Sequence, residues 1–241
     1  MNPILIGNWK MNHLKKDIVS FFDALKGQKL PFKTKICPQF IHLPLVLELS
    51  KSLQIEVGSQ NCYFENKGAF TGEISPVALK DLGCSFTLIG HSERRSLFNE
   101  NEELLLKKIK AALGAGLEVV YCIGENLSER ENGLTEKVLS RQLSILKSEN
   151  LVVAYEPVWA IGTGKSASPQ MADDAHSFIK KTLKSQNLDL PVIYGGSVKP
   201  ENIAELWQMP HIDGFLVGGA SLLPQDFHSM VSTLAKITTK I

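Results

Sequence analysis

The sequence predicts an α/β protein folded as a single closed (β/α)₈ barrel domain over residues 1–241. Three observations lead there. Short β-rich runs alternate with amphipathic stretches, and pairing each run with the stretch behind it succeeds eight times. Strict alternation implies parallel strands joined by right-handed crossovers. The length of 241 residues is close to the ~250 typical of an eight-unit barrel. A doubly wound open sheet is the competing arrangement. It usually carries G-x-G-x-x-G at its first strand-to-helix turn, where this chain reads Gly7-Asn8-Trp9-Lys10-Met11-Asn12.

The strands are placed by short apolar runs of the kind that a sheet buried on both faces requires. In order they are residues 4–8, 34–37, 55–59, 86–89, 118–122, 151–155, 192–194 and 214–217. Their amphipathic partners are residues 17–26, 44–50, 76–82, 101–113, 134–147, 172–185, 203–207 and 227–235, with 76–82 the least regular. The sixth strand is the run Leu151-Val152-Val153-Ala154-Tyr155. Pro157 ends it, because proline has no N–H to give to the ladder. Glu156 therefore emerges at the strand end. Behind it Val158, Trp159, Ala160 and Ile161 are too apolar for an idle surface loop, and Gly162, Thr163 and Gly164 can absorb the backbone changes of a hinge. A lid over residues 157–165 with a built-in base is the expectation. The plainer alternative is a turn in which Glu156 caps backbone amides and Trp159 fills a crevice.

Composition narrows the function. Lys plus Arg total 26 against 25 Asp plus Glu, so there is no bulk basic field for nucleic acid. The N-terminus carries no charged leader before a long apolar core, and no run approaches the ~18 apolar residues of a membrane span. A soluble, cytoplasmic protein is expected. Cys37, Cys62, Cys84 and Cys122 form no Cys-x-x-Cys pair and are too few for a disulfide framework in a chain of this size. They read as reduced thiols. The histidines complete no metal-ligand motif such as H-E-x-x-H, so no metal site is expected.

In a closed barrel the C-terminal strand ends share one rim, and residues distant in sequence meet there. Strand one delivers Asn8 and Lys10, the latter trapped between Trp9 and Met11; strand four delivers His91; strand six delivers Glu156. Strands seven and eight deliver Gly195-Gly196-Ser197 and Gly218-Gly219, turns whose exposed amides suit a phosphate. Arg94 and Arg95 with Glu100 are expected to form a solvated charge cluster. No serine stands in G-x-S-x-G, so acyl transfer is unsupported. A carboxylate, an imidazole, a cation and a phosphate cradle point to proton abstraction beside the carbonyl of a small phosphorylated molecule. Negative charge then grows on the oxygen, so the base needs a partner that stabilises it.

Five motifs extend this reading: N-W-K at 8–10, I-G-H-S-E-R-R at 89–95, A-Y-E-P-V-W-A-I-G-T-G-K at 154–165, Y-G-G-S-V at 194–198 and D-G-F-L-V-G-G-A-S-L at 213–222. With them the chain closely resembles the triosephosphate isomerase family from the first strand to the last helix. The resemblance implies cofactor-independent interconversion of dihydroxyacetone phosphate and glyceraldehyde 3-phosphate, in glycolysis and gluconeogenesis. It implies Glu156 as base and His91 as neutral electrophile, a pairing for which this enzyme is itself a well-known worked case. It further implies Lys10 as the cation with Asn8 beside the substrate, and phosphate held by amides of Gly162, Ser197, Gly218 and Gly219. Glu93 would place Lys10, and Cys122 would pack under the site. The family is typically a homodimer, so the loop of residues 61–75 is expected to insert into the neighbouring subunit, carrying Thr71 toward the partner subunit's Asn8 and His91. The alternative is a flap on its own barrel.

The chain departs from the family pattern at His13, where glycine is usual, and at Asn126, commonly threonine. The connections 132–150 and 183–192 look short. Two other functions compete: a phosphate-binding barrel acting on a larger sugar or indole phosphate, which would need an open pocket, and an idle homologue serving as a binding module, which would not need Lys10, His91 and Glu156 together.

Overall fold

The computed structural model describes residues 2–160 and 167–238. Eight parallel strands run in chain order and close on themselves: β1 (Ile4–Asn8), β2 (Thr34–Cys37), β3 (Glu56–Ser59), β4 (Phe86–Ile89), β5 (Glu118–Ile123), β6 (Leu151–Tyr155), β7 (Val192–Tyr194) and β8 (Gly214–Val217). The closed barrel is thus the observed architecture, and the open sheet is excluded. Closure falls between β1 and β8, with Ile4 opposite Gly214 and Gly7 opposite Val217. A Cβ on Gly214 would lie 2.1 Å from the Ile4 carbonyl oxygen, so only glycine lets the two strands approach this closely.

Strand side chains alternate between two apolar clusters, as a pleated wall demands. Ile6, Leu88, Val120, Val152, Ile193 and Leu216 belong to the inner cluster that fills the lumen. Their neighbours Leu5, Ile89, Val119, Val153, Val192 and Phe215 belong to the larger cluster beneath the helices. Lys35 stands two residues before the lumen residue Cys37. Its ammonium reaches Glu118 at 2.5 Å and Glu56 at 3.1 Å, so the end of the barrel opposite the Asn8 rim carries an ion cluster.

The helices covering the wall are α1 (Lys15–Leu25), α2 (Leu43–Ser50), α3 (Pro76–Leu82), α4 (Ser92–Leu97), α5 (Glu102–Gly114), α6 (Leu127–Glu131), α7 (Thr135–Leu143), α8 (Pro169–Ser185), α9 (Ile203–Trp207) and α10 (Pro224–Thr238). The irregular pattern at 76–82 is a helix. Ser75 caps it by accepting the Ala78 N–H, Pro76 opens it, and Gly83 at φ +109 ends it. The expected helix 134–147 stops instead at Leu143. There the Ser144 hydroxyl turns back on the Arg141 carbonyl at 2.7 Å, and the chain bends to bury Leu146 before entering β6. Leu146 keeps the apolar period going outside the helix, which is why the pattern overran it. The short helices α4 and α6 were not anticipated, being too brief to show a period. Asn126, a departure from the family pattern, forms a capping box with Glu129 at the start of α6. His13, the other departure, sits at φ +69, where glycine would be unstrained. Its ring packs edge-on against Trp9 at 4.7 Å.

No helix among the described residues is long and apolar enough to cross a membrane. The four cysteines are free and buried, and burial pushes the thiols of Cys84 and Cys62 up to about 11 and about 12. Such thiols are inert at neutral pH.

His176 on α8 is fully buried, between Tyr155 and Tyr194 at ring distances of 5.6 and 6.0 Å. Burial lowers its pKa to about 4, with the carbonyls of Ala172 and Ile193 acting the other way. Above the unfolded value of 6.5 neither state carries the proton and stability is full. As pH falls toward about 4 only the unfolded chain takes it up, and roughly 3 kcal/mol is lost. His176→Gln should therefore show a shallower fall in urea-unfolding stability between pH 7 and 4.5 than the wild type. Equal slopes would assign the acid sensitivity elsewhere.

Candidate active site

A cavity of about 690 Å³ opens at the rim formed by the C-terminal strand ends, lined by Asn8, Lys10, His91, Glu156, Ser197 and Gly219 among others. Each is delivered by the strand, or the loop behind it, that sequence indicated. Glu156 leaves β6 with its N–H on the Ile123 carbonyl, and its side chain is only 1% exposed. One carboxylate oxygen accepts the Ser92 N–H at 2.9 Å. The other, Oε1, lies 3.0 Å from His91 Nε2, yet the alignment makes no hydrogen bond, and it has no such partner among the described residues. A buried carboxylate oxygen left without a donor keeps a lone pair available at the cavity wall.

His91 precedes α4, and its Nδ1 accepts the Glu93 N–H at 3.3 Å. With that nitrogen an acceptor, a neutral ring carries its proton on Nε2. Glu93 Oε2 is 3.6 Å from Nδ1, too far for a hydrogen bond. Its other oxygen holds the Lys10 ammonium at 2.6 Å.

Lys10 itself sits at φ +50, a conformation that costs a non-glycine residue roughly 1–3 kcal/mol. Three contacts hold it there. Asn8 Oδ1 accepts the Lys10 N–H at 3.1 Å, and the Gln60 amide donates to the carbonyls of Lys10 and Cys37 at 2.8 and 3.0 Å. Backbone strain at a rim lysine marks a position set by the site and not by the strand. Cys122 lies in the lumen below. Burial first, and then the adjacent Glu156 carboxylate, push its thiol well above the usual range.

The opposite side of the cavity is backbone. The N–H groups of Ser197, Gly219 and Ala220 meet no acceptor among the described residues, so the two turns present a concave set of free donors. Gly162 lies outside the described residues, as do residues 161–165 of the expected lid. The part of that segment in view is tethered: the Val158 N–H donates to the Glu125 carbonyl, and the Trp159 indole N–H reaches the Glu125 carboxylate at 3.0 Å. Glu125 is fully buried and also accepts from the Tyr155 hydroxyl and Arg130. Trp159 is also partly buried against the core, and Glu156 does accept a backbone amide, so the plainer reading of this turn is met in both respects.

Sequence reasoning missed two contributors. The Ser92 amide is invisible as a donor until α4 is formed. Glu125 had a signal, an acidic residue at the end of an apolar strand, but its partners lie 30 and 34 positions away. The charge cluster is corrected as well. Glu100 and Lys108 are buried and paired at 2.5 Å, Arg94 joins them at 2.7 Å, and Arg95 turns inward to the Gly90 and Cys122 carbonyls and the Tyr121 hydroxyl. This is internal wiring between α4, α5 and the wall, and desolvated guanidinium groups need such a full set of acceptors.

The sequence matches the profile described as Triosephosphate isomerase over residues 3–234. The chain belongs to the triosephosphate isomerase family. It is 45% identical to the triosephosphate isomerase of Clostridium tetani, over 95% of each chain. It is 44% identical to those of Endomicrobium trichonymphae and Lactobacillus delbrueckii subsp. bulgaricus, covering 95% of this chain and 97% of each relative. Among family features, the close packing of Glu156 yields a direct check. A Cβ on Gly195 would lie 2.9 Å from Glu156 Cγ, and overpacking of this kind costs about 1–3 kcal/mol. Gly195→Ala should fold and lose roughly tenfold or more in kcat/KM; an unchanged value would show that the carboxylate steps aside without consequence.

Proposed function

We propose that Glu156, His91, Lys10 and Asn8 carry the family's reaction in this chain, the interconversion of dihydroxyacetone phosphate and D-glyceraldehyde 3-phosphate. The observation that carries this is the carboxylate of Glu156, buried at the cavity wall with Oε1 lacking a hydrogen bond among the described residues and 3.0 Å from His91 Nε2. A substrate carbon seated there meets the base, while its oxygens face the imidazole and the Lys10 ammonium. Glu156 takes a proton from the carbon bearing the hydroxyl, and the released pair forms the C=C bond of an enediolate. The former carbonyl oxygen takes the charge, where the His91 Nε2–H and Lys10 stabilise it. His91 gives its Nε2 proton to that charged oxygen and takes one from the neighbouring hydroxyl, and return of the abstracted proton to the former carbonyl carbon then gives the aldehyde.

Closure of residues 157–165 would exclude water and strengthen each charge interaction. Glu93 places Lys10, Cys122 packs under the base, and the amides of Gly162, Ser197, Gly218 and Gly219 hold the phosphate. The chain works as one barrel domain in the cytoplasm, where its buried thiols stay reduced. Solvent deuterium exchange into dihydroxyacetone phosphate, followed by proton NMR, tests the assignment of the base. Wild type should exchange and isomerise, whereas Glu156→Gln should lose both by several orders of magnitude while still binding a phosphate inhibitor. Residual exchange near the wild-type rate would remove Glu156 from that role.

We further propose that the active form is a homodimer joined through residues 61–75. The tip of this loop from Glu65 to Glu73 is exposed, stiffened at its base by the Tyr63 N–H to Ile74 bond and by the packing of Tyr63 on Phe64 and Phe70. Beside the site lies a second cavity, of about 500 Å³, that reaches Lys10 and His91. Its rim exposes Met11, Ile41, Leu97 and Phe98 by 86, 78, 71 and 62%. Apolar exposure on this scale next to a catalytic lysine fits a protein partner. Thr71→Arg should yield monomers of low activity in sedimentation, and a fully active monomer would refute the inserted loop.

A further inference from the structure

Gly124 follows β5 at a point where the neighbouring strand has already ended. β4 stops at Ile89, opposite Tyr121, and Gly90 at φ +78 turns the chain away. Among the described residues no backbone group pairs with the buried Gly124. The side chain of Gln142 on α7 takes the missing place, and it is only 4% exposed. Its Oε1 accepts the Gly124 N–H at 2.8 Å, and its Nε2 donates to the Gly124 carbonyl at 3.1 Å. An amide that exchanges both bonds with one residue holds that backbone as a paired strand would.

What this clamp secures follows from the residues on either side. The Ile123 carbonyl accepts the Glu156 N–H at 2.7 Å, and the Glu125 carbonyl accepts the Val158 N–H at 3.1 Å. Between those two bonds Gly124 lies against Glu156 itself: a Cβ on Gly124 would meet the Glu156 carbonyl oxygen at 1.7 Å. The backbone of the carboxylate, and of the segment behind it, is therefore mounted on Ile123, Gly124 and Glu125. Gln142 pins the middle residue of the three. Its own main chain is tied to the same wall, since the Gln142 carbonyl accepts the Tyr121 hydroxyl at 3.0 Å. Gln142 does not line the large cavity, so any effect on the reaction passes through Gly124.

We infer that Gln142 is a positioning residue for Glu156, holding from behind the backbone on which the carboxylate is mounted. This rests on the reading of Glu156 as the base. Without the amide, two buried backbone groups of Gly124 lose their partners, and the segment must shift to find others. Glu156 moves with it. A displacement on the order of 1 Å at a reacting group costs about a hundredfold. The amides read as the phosphate cradle follow β7 and β8, so binding of the anion is left intact.

The test compares wild type, Gln142→Met and Gln142→Asn, each made also together with Glu156→Gln. Methionine keeps the length of the side chain without its donor or acceptor. Asparagine keeps an amide that falls one methylene short of Gly124, and it carries the test if the methionine variant folds poorly. Turnover is measured with triose phosphate, and affinity for inorganic phosphate by calorimetry. The inference expects kcat to fall about ten- to a hundredfold, with KM and phosphate affinity within about twofold of wild type. Together with Glu156→Gln the same substitutions should cost less than about twofold, because a residue acting only through the carboxylate then has nothing left to place. Equal losses with and without Glu156 would mark a general structural part and overturn the role of Gln142. So would an unchanged kcat, or a loss confined to KM. Wild-type turnover in Glu156→Gln alone would instead overturn the reading of the base itself.

Discussion

Strand β8 lies beside β1, with Ile4 opposite Gly214 and Gly7 opposite Val217, and this pairing turns a sheet with two distant edges into one wall. Every relation at the rim depends on it. Lys10 follows the first strand and Gly218 the last, and a Cβ on Gly218 would come within 3.5 Å of the Lys10 side chain. In an open sheet of the same strands Lys10 and the turn at Gly218 would stand at opposite edges. The Trp9 indole N–H bonds to the Ser221 carbonyl at 3.1 Å and ties the same two loops together above the seam.

The barrel wall then keeps its two polar ends apart. Its lumen is packed with apolar side chains, so the Lys35 ion cluster closes one end and the candidate site is confined to the C-terminal strand ends and the loops behind them. There the structure spends local strain and unsatisfied polarity. Lys10 is held at φ +50 by Asn8 and Gln60, and among the described residues Glu156 keeps one oxygen without a donor and the turns behind β7 and β8 leave amides without an acceptor. Each is unfavourable for folding taken alone. The surrounding network holds the side chains in place: Glu93 on Lys10 and the Ser92 amide on Glu156.

Much of this was legible in the chain. All eight strands fall within a residue of where apolar runs place them, because a sheet buried on both faces demands such runs regardless of what surrounds it. Helix ends were less legible. Leu146 continues the period of α7 after the helix has stopped, since a buried residue keeps an apolar identity in any backbone conformation. The rim residues Asn8, Lys10, His91 and Glu156 were legible because strand ends can be counted. Arg94, Arg95 and Glu100 were misjudged as solvated, because a charged sequence gives no sign of the carbonyls and hydroxyls waiting across the core.

Local pattern by itself determined the order of elements, the parallel sheet and the list of groups at the rim. Each follows from short-range rules of periodicity, turn residues and strand termini. Only the tertiary structure decided which groups touch: Glu156 to Ser92, Lys10 to Glu93, Trp159 to Glu125 and Asn202 to Ser197. Most of these partners are tens of residues apart, and the Asn202 contact to the Ser197 carbonyl exists only once the loop is folded. Hydrogen bonds run over about 3 Å, and separation in sequence does not specify distance at that scale until the barrel has closed.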